Sequence, residues 1–244
     1  MSDNQVSDLK TGHSTLRERL LADEDLAPII VSTFLQGSYR RSTAVKPKNG
    51  NKSDVDIIVV TNLDSEHSTL EEALDMFIPF LKKNYEGKYR KQGRSLGISL
   101  SYVDLDIVPT SAPSEVVREE LSSEELISEF SIEESFVFFS ESEESGWKDE
   151  PFLIPAREAD SWDKTHPLEQ IRWTVDKNKR CNSHYINVVK ALKWWKKVMY
   201  PDMKYPKSYP LEHFIGDCCP DNIESVAEGE VLTLEKIANG IIYT

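Results

Sequence analysis

Three things are scarce in these 244 residues. Cysteine occurs only at Cys181, Cys218 and Cys219. That odd count, with two adjacent and no spaced pair, excludes a disulfide framework or a structural zinc site and predicts reduced, partly buried thiols. No run approaches the roughly 18 apolar residues that a membrane-spanning helix needs, and the opening Met1-Ser2-Asp3-Asn4 lacks the apolar region of a secretory signal. Both absences predict a cytoplasmic protein without membrane association. Internal repeats are lacking, and the histidines are scattered. What is present is 39% hydrophobic content, enough for a proper core, in a length that suits one large domain or two small ones.

Positive charge is scarce in one place. The net charge is −13, yet residues 114–150 alone hold thirteen acidic residues against Arg118 and Lys148, a net of −11. The rest of the chain is nearly balanced, with 27 basic and 29 acidic residues. The acidic segment reads as helix and loop with a solvated face. It argues against long nucleic acid wrapping that side, but not against a small nucleotide whose metal ion supplies the local positive charge.

Hydrophobic periodicity places the elements. Residues 1–13 read as a loose polar tail, and Ser14 caps a helix running to Leu21. Ile29 to Gln36 is a β-branched strand running into a Gly37-Ser38 turn, followed by a short helix over Tyr39–Val45 and a loop over Lys46–Lys52. Asp54 to Thr61 is a strand. Leu70, Leu74, Phe77, Ile78 and Leu81 keep helical spacing. Leu96–Leu100 and Val103–Val108 form two strands, the second ended by Pro109. Phe152–Pro155 is a further short strand. From Pro167 the pattern turns helical, with one helix around Val188–Trp195 and others over Tyr209–Cys218 and Leu232–Ile241. Strands fill the first two-thirds and helices the last third, so the expected class is α+β with a helical lobe.

Asp54 and Asp56 are two apart on one strand, as are Asp104 and Asp106 on another, and period-2 geometry puts each pair on one face. If those strands are neighbours, the carboxylates converge and repel one another unless a cation sits between them. Oxygen donors open to substrate phosphates favour Mg²⁺ or Mn²⁺. Gly37-Ser38 at a helix start suits a triphosphate tail. Taken singly, an Asp-x-Asp pair is more often a solvated strand end and a Gly-Ser pair a simple turn; it is the conjunction that points to phosphate and metal chemistry.

Gln36-Gly37-Ser38-Tyr39-Arg40-Arg41, together with Asp54-Val55-Asp56, resembles the DNA polymerase β-like nucleotidyltransferase superfamily. The resemblance is closest to the branch holding oligoadenylate synthase, cyclic GMP–AMP synthase and the bacterial CD-NTases. It implies a twisted mixed sheet flanked by helices over residues 1–165, and a helical lobe over 166–244. It implies Asp54, Asp56 and, through Asp106-Ile107-Val108-Pro109, Asp106 as the metal-binding catalytic set, with Asp104 as runner-up. It implies two Mg²⁺ ions, for which Mn²⁺ can substitute. Gln36, Gly37 and Ser38 would cradle the donor phosphates. From Leu192-Lys193-Trp194-Trp195 and Ser208-Tyr209-Pro210, it implies Lys193 and Ser208 on the triphosphate and Tyr209 stacked on a base; Lys190 is the alternative to Lys193. The branch carries further helical sequence after Ile242, so a truncated or compact lobe is expected here.

The implied activity is joining ATP or other NTPs into a cyclic di- or trinucleotide, or a short oligonucleotide, with release of pyrophosphate, by a cytoplasmic monomer in antiphage signalling. Two other readings stay open: nucleotidyl transfer to an RNA end, protein or small molecule, and a catalytically silent nucleotide-binding module. The basic run Lys82–Arg94 reads as a solvated helix end and hairpin, with nucleic-acid binding as the lesser alternative. Cys181 and His184 cannot supply the zinc cluster of the animal DNA sensor, so activation by long DNA is not expected.

Overall fold

The computed structural model describes residues 3–48, 52–111, 114, 151–155 and 162–242. The acidic segment, apart from Ser114, lies outside the described residues, as do Asn49–Asn51 of the predicted loop. A seven-stranded sheet forms the first part: β1 (Ile30–Gln36), β2 (Ser53–Thr61), β3 (Tyr89–Gln92), β4 (Ser95–Ser99), β5 (Val103–Ser111), β6 (Phe152–Pro155) and β7 (Trp162–Thr165). The order is β1-β2-β5-β4-β3, with β6 joining β5 to β7. Only β2 and β5 run parallel; the other neighbours are antiparallel.

The register of the sheet separates its two faces. Val55, Ile57 and Val59 share one face with Leu35, Leu105, Ile107, Leu96 and Ile98. That face is buried under Leu9, Leu16 and Leu20 of α1 (Asp3–Leu21) and under Leu74, Phe77, Phe80 and Leu81. On the opposite face, apolar Phe34, Ile58 and Phe152 occupy one end and the aspartates the other. The core therefore holds the sheet from behind and leaves one end of the front face polar.

Several expectations are corrected. The predicted polar tail is helical: α1 begins at Asp3, because Leu9 joins Leu16 and Leu20 on the buried stripe. The helix expected over Leu70–Leu81 is two helices, α3 (Leu70–Asp75) and α4 (Ile78–Tyr85). Pro79 lies in the first turn of α4, and its ring would clash with the Asp75 carbonyl in a continuous helix. A capping box between Thr69 and Glu72 opens α3. The short helix after Gly37-Ser38, α2, covers only Gly37–Arg40. Pro109 does not end β5: β4 leaves off opposite Ile107 and β6 begins opposite Ser111, so the proline falls where one edge of the strand has no ladder partner.

The helical part comprises α5 (Pro167–Arg180), α6 (Tyr185–Met199), α7 (Ser208–Cys218) and α8 (Val226–Ile242). Tyr185, Val188, Val189 and Leu192 pack against Ile215 and Ile223 in a second core. All three cysteines are free and buried. No helix among the described residues is long and apolar enough to cross a membrane.

Candidate active site

The polar end of the front face opens into a cleft of about 720 Å³, with the sheet and α2 on one side and the helices on the other. Asp54, Asp56 and Asp106 line it. The parallel ladder pairs Asp54 with Asp104 and Asp56 with Asp106, so the strands are the neighbours that convergence requires. Asp104 does not line the cleft: it accepts a hydrogen bond of 2.6 Å from the Ser99 hydroxyl and has the Lys52 ammonium at 3.6 Å.

Gly37 and Ser38 form the turn at the cleft edge. Gly37 has φ +76°, and a Cβ there would overlap Asp56 Oδ2. The backbone turn thus approaches the carboxylate as closely as only glycine permits. The Ser38 carbonyl accepts from the N–H groups of Thr43 and Ala44 at 2.9 and 3.0 Å, which closes the chain behind the turn. Gly37→Ala is expected to cost about 1–2 kcal/mol of stability from the left-handed backbone and, by displacing Asp56, to lower any reaction at this site roughly 10²-fold. Urea unfolding and a turnover assay check the two effects separately.

Burial raises the Asp56 carboxyl to about 6, with the charges of Asp54 and Asp106 adding to the shift and Arg41 and Arg94 opposing it. Asp106 is likewise raised, by burial first and Asp54 second. These groups hold one another in an unfavourable state that a cation would relieve. The donors are oxygens only, which fits a hard divalent ion such as Mg²⁺ or Mn²⁺. Among the described residues no group of three or more His, Cys, Asp or Glu side chains is placed to hold a metal ion unaided. The carboxylates form an open wall, the arrangement that suits an ion completing its shell with water and substrate phosphates.

Across the cleft stand Gln170 of α5 and Ser208 and Tyr209 at the start of α7. Gln36 reaches over to Gln170, Nε2 to Oε1 at 3.3 Å, and so ties the sheet to the helices beside the cleft. Tyr209 carries the Arg41 guanidinium over its ring at 4.8 Å, and its hydroxyl meets His213 Nε2 at 2.6 Å. His213 in turn stacks on Trp173, 3.8 Å between ring centres. This aromatic column holds the Tyr209 ring in place beside the pocket.

Lys193 is not brought to this cleft. Its ammonium is buried, 2.7 Å from Glu212 Oε1 and 2.9 Å from the Thr43 carbonyl. It borders a separate cavity of about 220 Å³ with Lys196, Lys197 and Tyr200, and Ser208 borders both cavities. Lys190 borders neither. Glu212 also accepts from Arg41 Nε at 3.1 Å, so one buried carboxylate joins the chain after α2 to both α6 and α7. Through Thr43 and Ser38, Lys193 supports the Gly37-Ser38 turn from behind.

Residues that sequence reasoning did not single out also line the cleft: Arg41, Thr165, Gln170 and the β3–β4 hairpin tip with Gln92 and Arg94. The Gln36–Arg41 motif contained Arg41, and the basic run Lys82–Arg94 contained Arg94, without distinguishing either. The others carry no local signal, since only the assembled sheet brings them to the carboxylates.

A mixed sheet with paired aspartates facing a glycine turn, closed off by helices, defines a nucleotidyltransferase-type fold. Residues 1–124 match the Second Messenger Oligonucleotide or Dinucleotide Synthetase domain, and the chain belongs to that family. It is 46% identical over 260 residues to the cyclic AMP-AMP-GMP synthase of Enterobacter hormaechei subsp. hoffmannii, covering 96% of this chain and 68% of that protein. It is also 46% identical over 268 residues to a probable cyclic AMP-AMP-GMP nucleotide synthase of Salmonella paratyphi B, covering 99% and 70%. The fold superposes on the CD-NTase CdnG of Bradyrhizobium diazoefficiens in complex with GTP, with a TM-score of 0.71 at 13% identity, covering 99% of this chain and 73% of that one. Membership makes the chain a bacterial CD-NTase, a nucleotidyltransferase that acts on nucleotides and depends on a divalent metal.

Proposed function

We propose that the 720 Å³ cleft joins nucleoside triphosphates into a cyclic di- or trinucleotide, with ATP as one substrate and release of pyrophosphate. The observation that carries this reading is the meeting of Asp54, Asp56 and Asp106 with the Gly37-Ser38 turn on one wall and Ser208-Tyr209 on the other. The relatives' products, cyclic AMP-AMP-GMP in two cases, support a trinucleotide. The cleft volume falls in the upper part of the range of about 300–1,000 Å³ for small-molecule sites, which suits more than one nucleotide.

In this reading Asp54, Asp56 and Asp106 are the residues that would hold the two Mg²⁺ ions. When bound, the ions neutralise the developing charge on the phosphates and lower the pKa of the attacking hydroxyl. Gly37 and Ser38 offer backbone N–H groups to the donor phosphates, with Gln36 bracing the turn against Gln170. Ser208 binds the triphosphate from the opposite wall. Tyr209 presents its ring to a base, worth about 1–3 kcal/mol by comparison with other aromatic platforms. Lys193 acts indirectly, by fixing Thr43 and Glu212. The resemblance and the family support a cytoplasmic monomer acting in antiphage signalling, built as a nucleotidyltransferase core over residues 1–165 and a helical lobe over 166–244 that together form the cleft.

The test is incubation with the four labelled NTPs and Mg²⁺ or Mn²⁺, with no acceptor added, followed by phosphatase treatment. A phosphatase-resistant product is expected. Transfer seen only when an RNA or protein acceptor is supplied would replace cyclisation with end transfer, and absence of any product or pyrophosphate with either metal would leave a silent nucleotide-binding module.

A further inference from the structure

The β3–β4 hairpin places Gln92 on the same face of the sheet as Asp106. Arg90 pairs with Gly97 and Gln92 with Ser95, while Gly97 pairs with Asp106. Side chains of paired residues share a face, so Gln92 and Asp106 both stand over the position of Gly97. There Gln92 Nε2 donates a hydrogen bond of 2.9 Å to Asp106 Oδ1. Gly97 makes room for that bond. A Cβ on Gly97 would overlap Gln92 Nε2 and stand 3.0 Å from Asp106 Oδ1. Two separate features, a donor at the hairpin end and a missing side chain on the intervening strand, serve the same contact.

The chemistry of the donor matters. Asp104, two residues away on the same face, is held by the Ser99 hydroxyl and by the cationic Lys52. Asp106 accepts its hydrogen bond from a neutral amide, and the Arg90 guanidinium acts on it through space. An amide fixes the rotation of a carboxylate through one oxygen without supplying a charge that would compete with a metal ion for it. A lysine in the same place would neutralise the group it oriented.

We infer that Gln92 is a positioning residue that sets the orientation of Asp106 for a divalent ion, with Gly97 as the space that lets it do so. The inference rests on the reading of Asp106 as a metal-binding group. Gln92→Leu keeps the bulk and removes the donor; Gly97→Ala keeps the donor and pushes it away.

The experiment titrates the full chain with Mn²⁺ alone, without nucleotide, and follows the free ion by electron paramagnetic resonance. Wild type, Gln92→Leu, Gly97→Ala, the double variant and Asp106→Asn are compared, each with its melting temperature. Gln92→Leu is expected to weaken Mn²⁺ binding roughly 10- to 100-fold, the usual effect of losing an outer partner of a metal ligand, with its melting temperature unchanged. Gly97→Ala is expected to do the same, and the double variant to be no worse than either single one. If Asp106→Asn weakens Mn²⁺ binding while Gln92→Leu leaves it intact, the positioning role is wrong and the metal reading stands. If Asp106→Asn has no effect either, the metal reading of Asp106 has failed and the role of Gln92 falls with it. Should Gly97→Ala not fold, Gln92→Leu alone decides between these outcomes.

Discussion

Asp56→Asn is expected to lower nucleotidyl transfer by roughly 10³-fold or more, because loss of metal-assisted charge stabilisation is worth several kcal/mol. The same substitution is expected to raise the melting temperature measured in EDTA. Asp56 is half-buried and carries the repulsion of both Asp54 and Asp106, so a neutral side chain of the same shape relieves an unfavourable charge in the metal-free protein. Added Mg²⁺ should then stabilise wild type more than the variant. The combination separates a functional carboxylate from a structural one, since a structural carboxylate would lose stability along with activity. Pyrophosphate release and thermal melting, each with and without Mg²⁺, measure both halves. Asp54→Asn should match it in activity.

Glu212→Gln carries the largest expected effect on stability, a loss of about 3–5 kcal/mol, the cost of breaking a buried ion pair from one side. Glu212 is 2% exposed and sits between Arg41 and Lys193, themselves 3% and 7% exposed. Burial alone would raise its carboxyl, but the two cations outweigh burial and hold it below its ordinary 4.5. A carboxyl depressed in the folded state contributes stability that is present above its unfolded value and lost as pH falls through the folded one. The gap between wild type and Glu212→Gln in urea unfolding is therefore widest near neutrality and closes in acid. Activity should fall as well, because the carboxylate ties the chain after α2 to α6 and α7 and so fixes the width of the cleft. A gap that did not narrow in acid would remove the ionic account of this bridge.

The sequence carried most of the front wall. Val55 to Val60 is β-branched and apolar enough to declare β2, and its two aspartates fall on one face by strand period alone. The match of Asp106-Ile107-Val108-Pro109 to a known pattern singled out Asp106 over Asp104, and Asp106 is the one that lines the cleft. That β2 and β5 run side by side is a long-range pairing, which periodicity cannot give. The start of α1 was hidden because Asp3–Leu9 is polar except at Val6 and Leu9, and helix there depends on Leu9 meeting the sheet. β3 was legible only as part of a hairpin within the basic run Lys82–Arg94, because Tyr89–Gln92 is mostly basic and polar; it is a strand because β4 offers it an edge.

The opposite wall was legible in part. Ser208 and Tyr209 reach the cleft at the start of a helix that apolar spacing foretold. Lys193 was read as a phosphate ligand, yet its ammonium lies on Glu212 and Thr43. A lysine on a helix gives the same signal whether its charge meets a ligand or a buried acid. What distinguishes the two is Glu212, nineteen positions on and facing it across the lobe. Gln92 and Gly97 left no trace, because their value comes from Asp106 standing beside them.

Diffraction from crystals grown with Mn²⁺ and a non-hydrolysable ATP analogue tests the central claim most directly. The account predicts anomalous Mn²⁺ density against Asp54, Asp56 and Asp106, with the triphosphate against Gly37-Ser38 and Ser208. Nucleotide and metal seated instead in the 220 Å³ cavity beside Lys196 and Lys197, with the three aspartates unliganded, would contradict it.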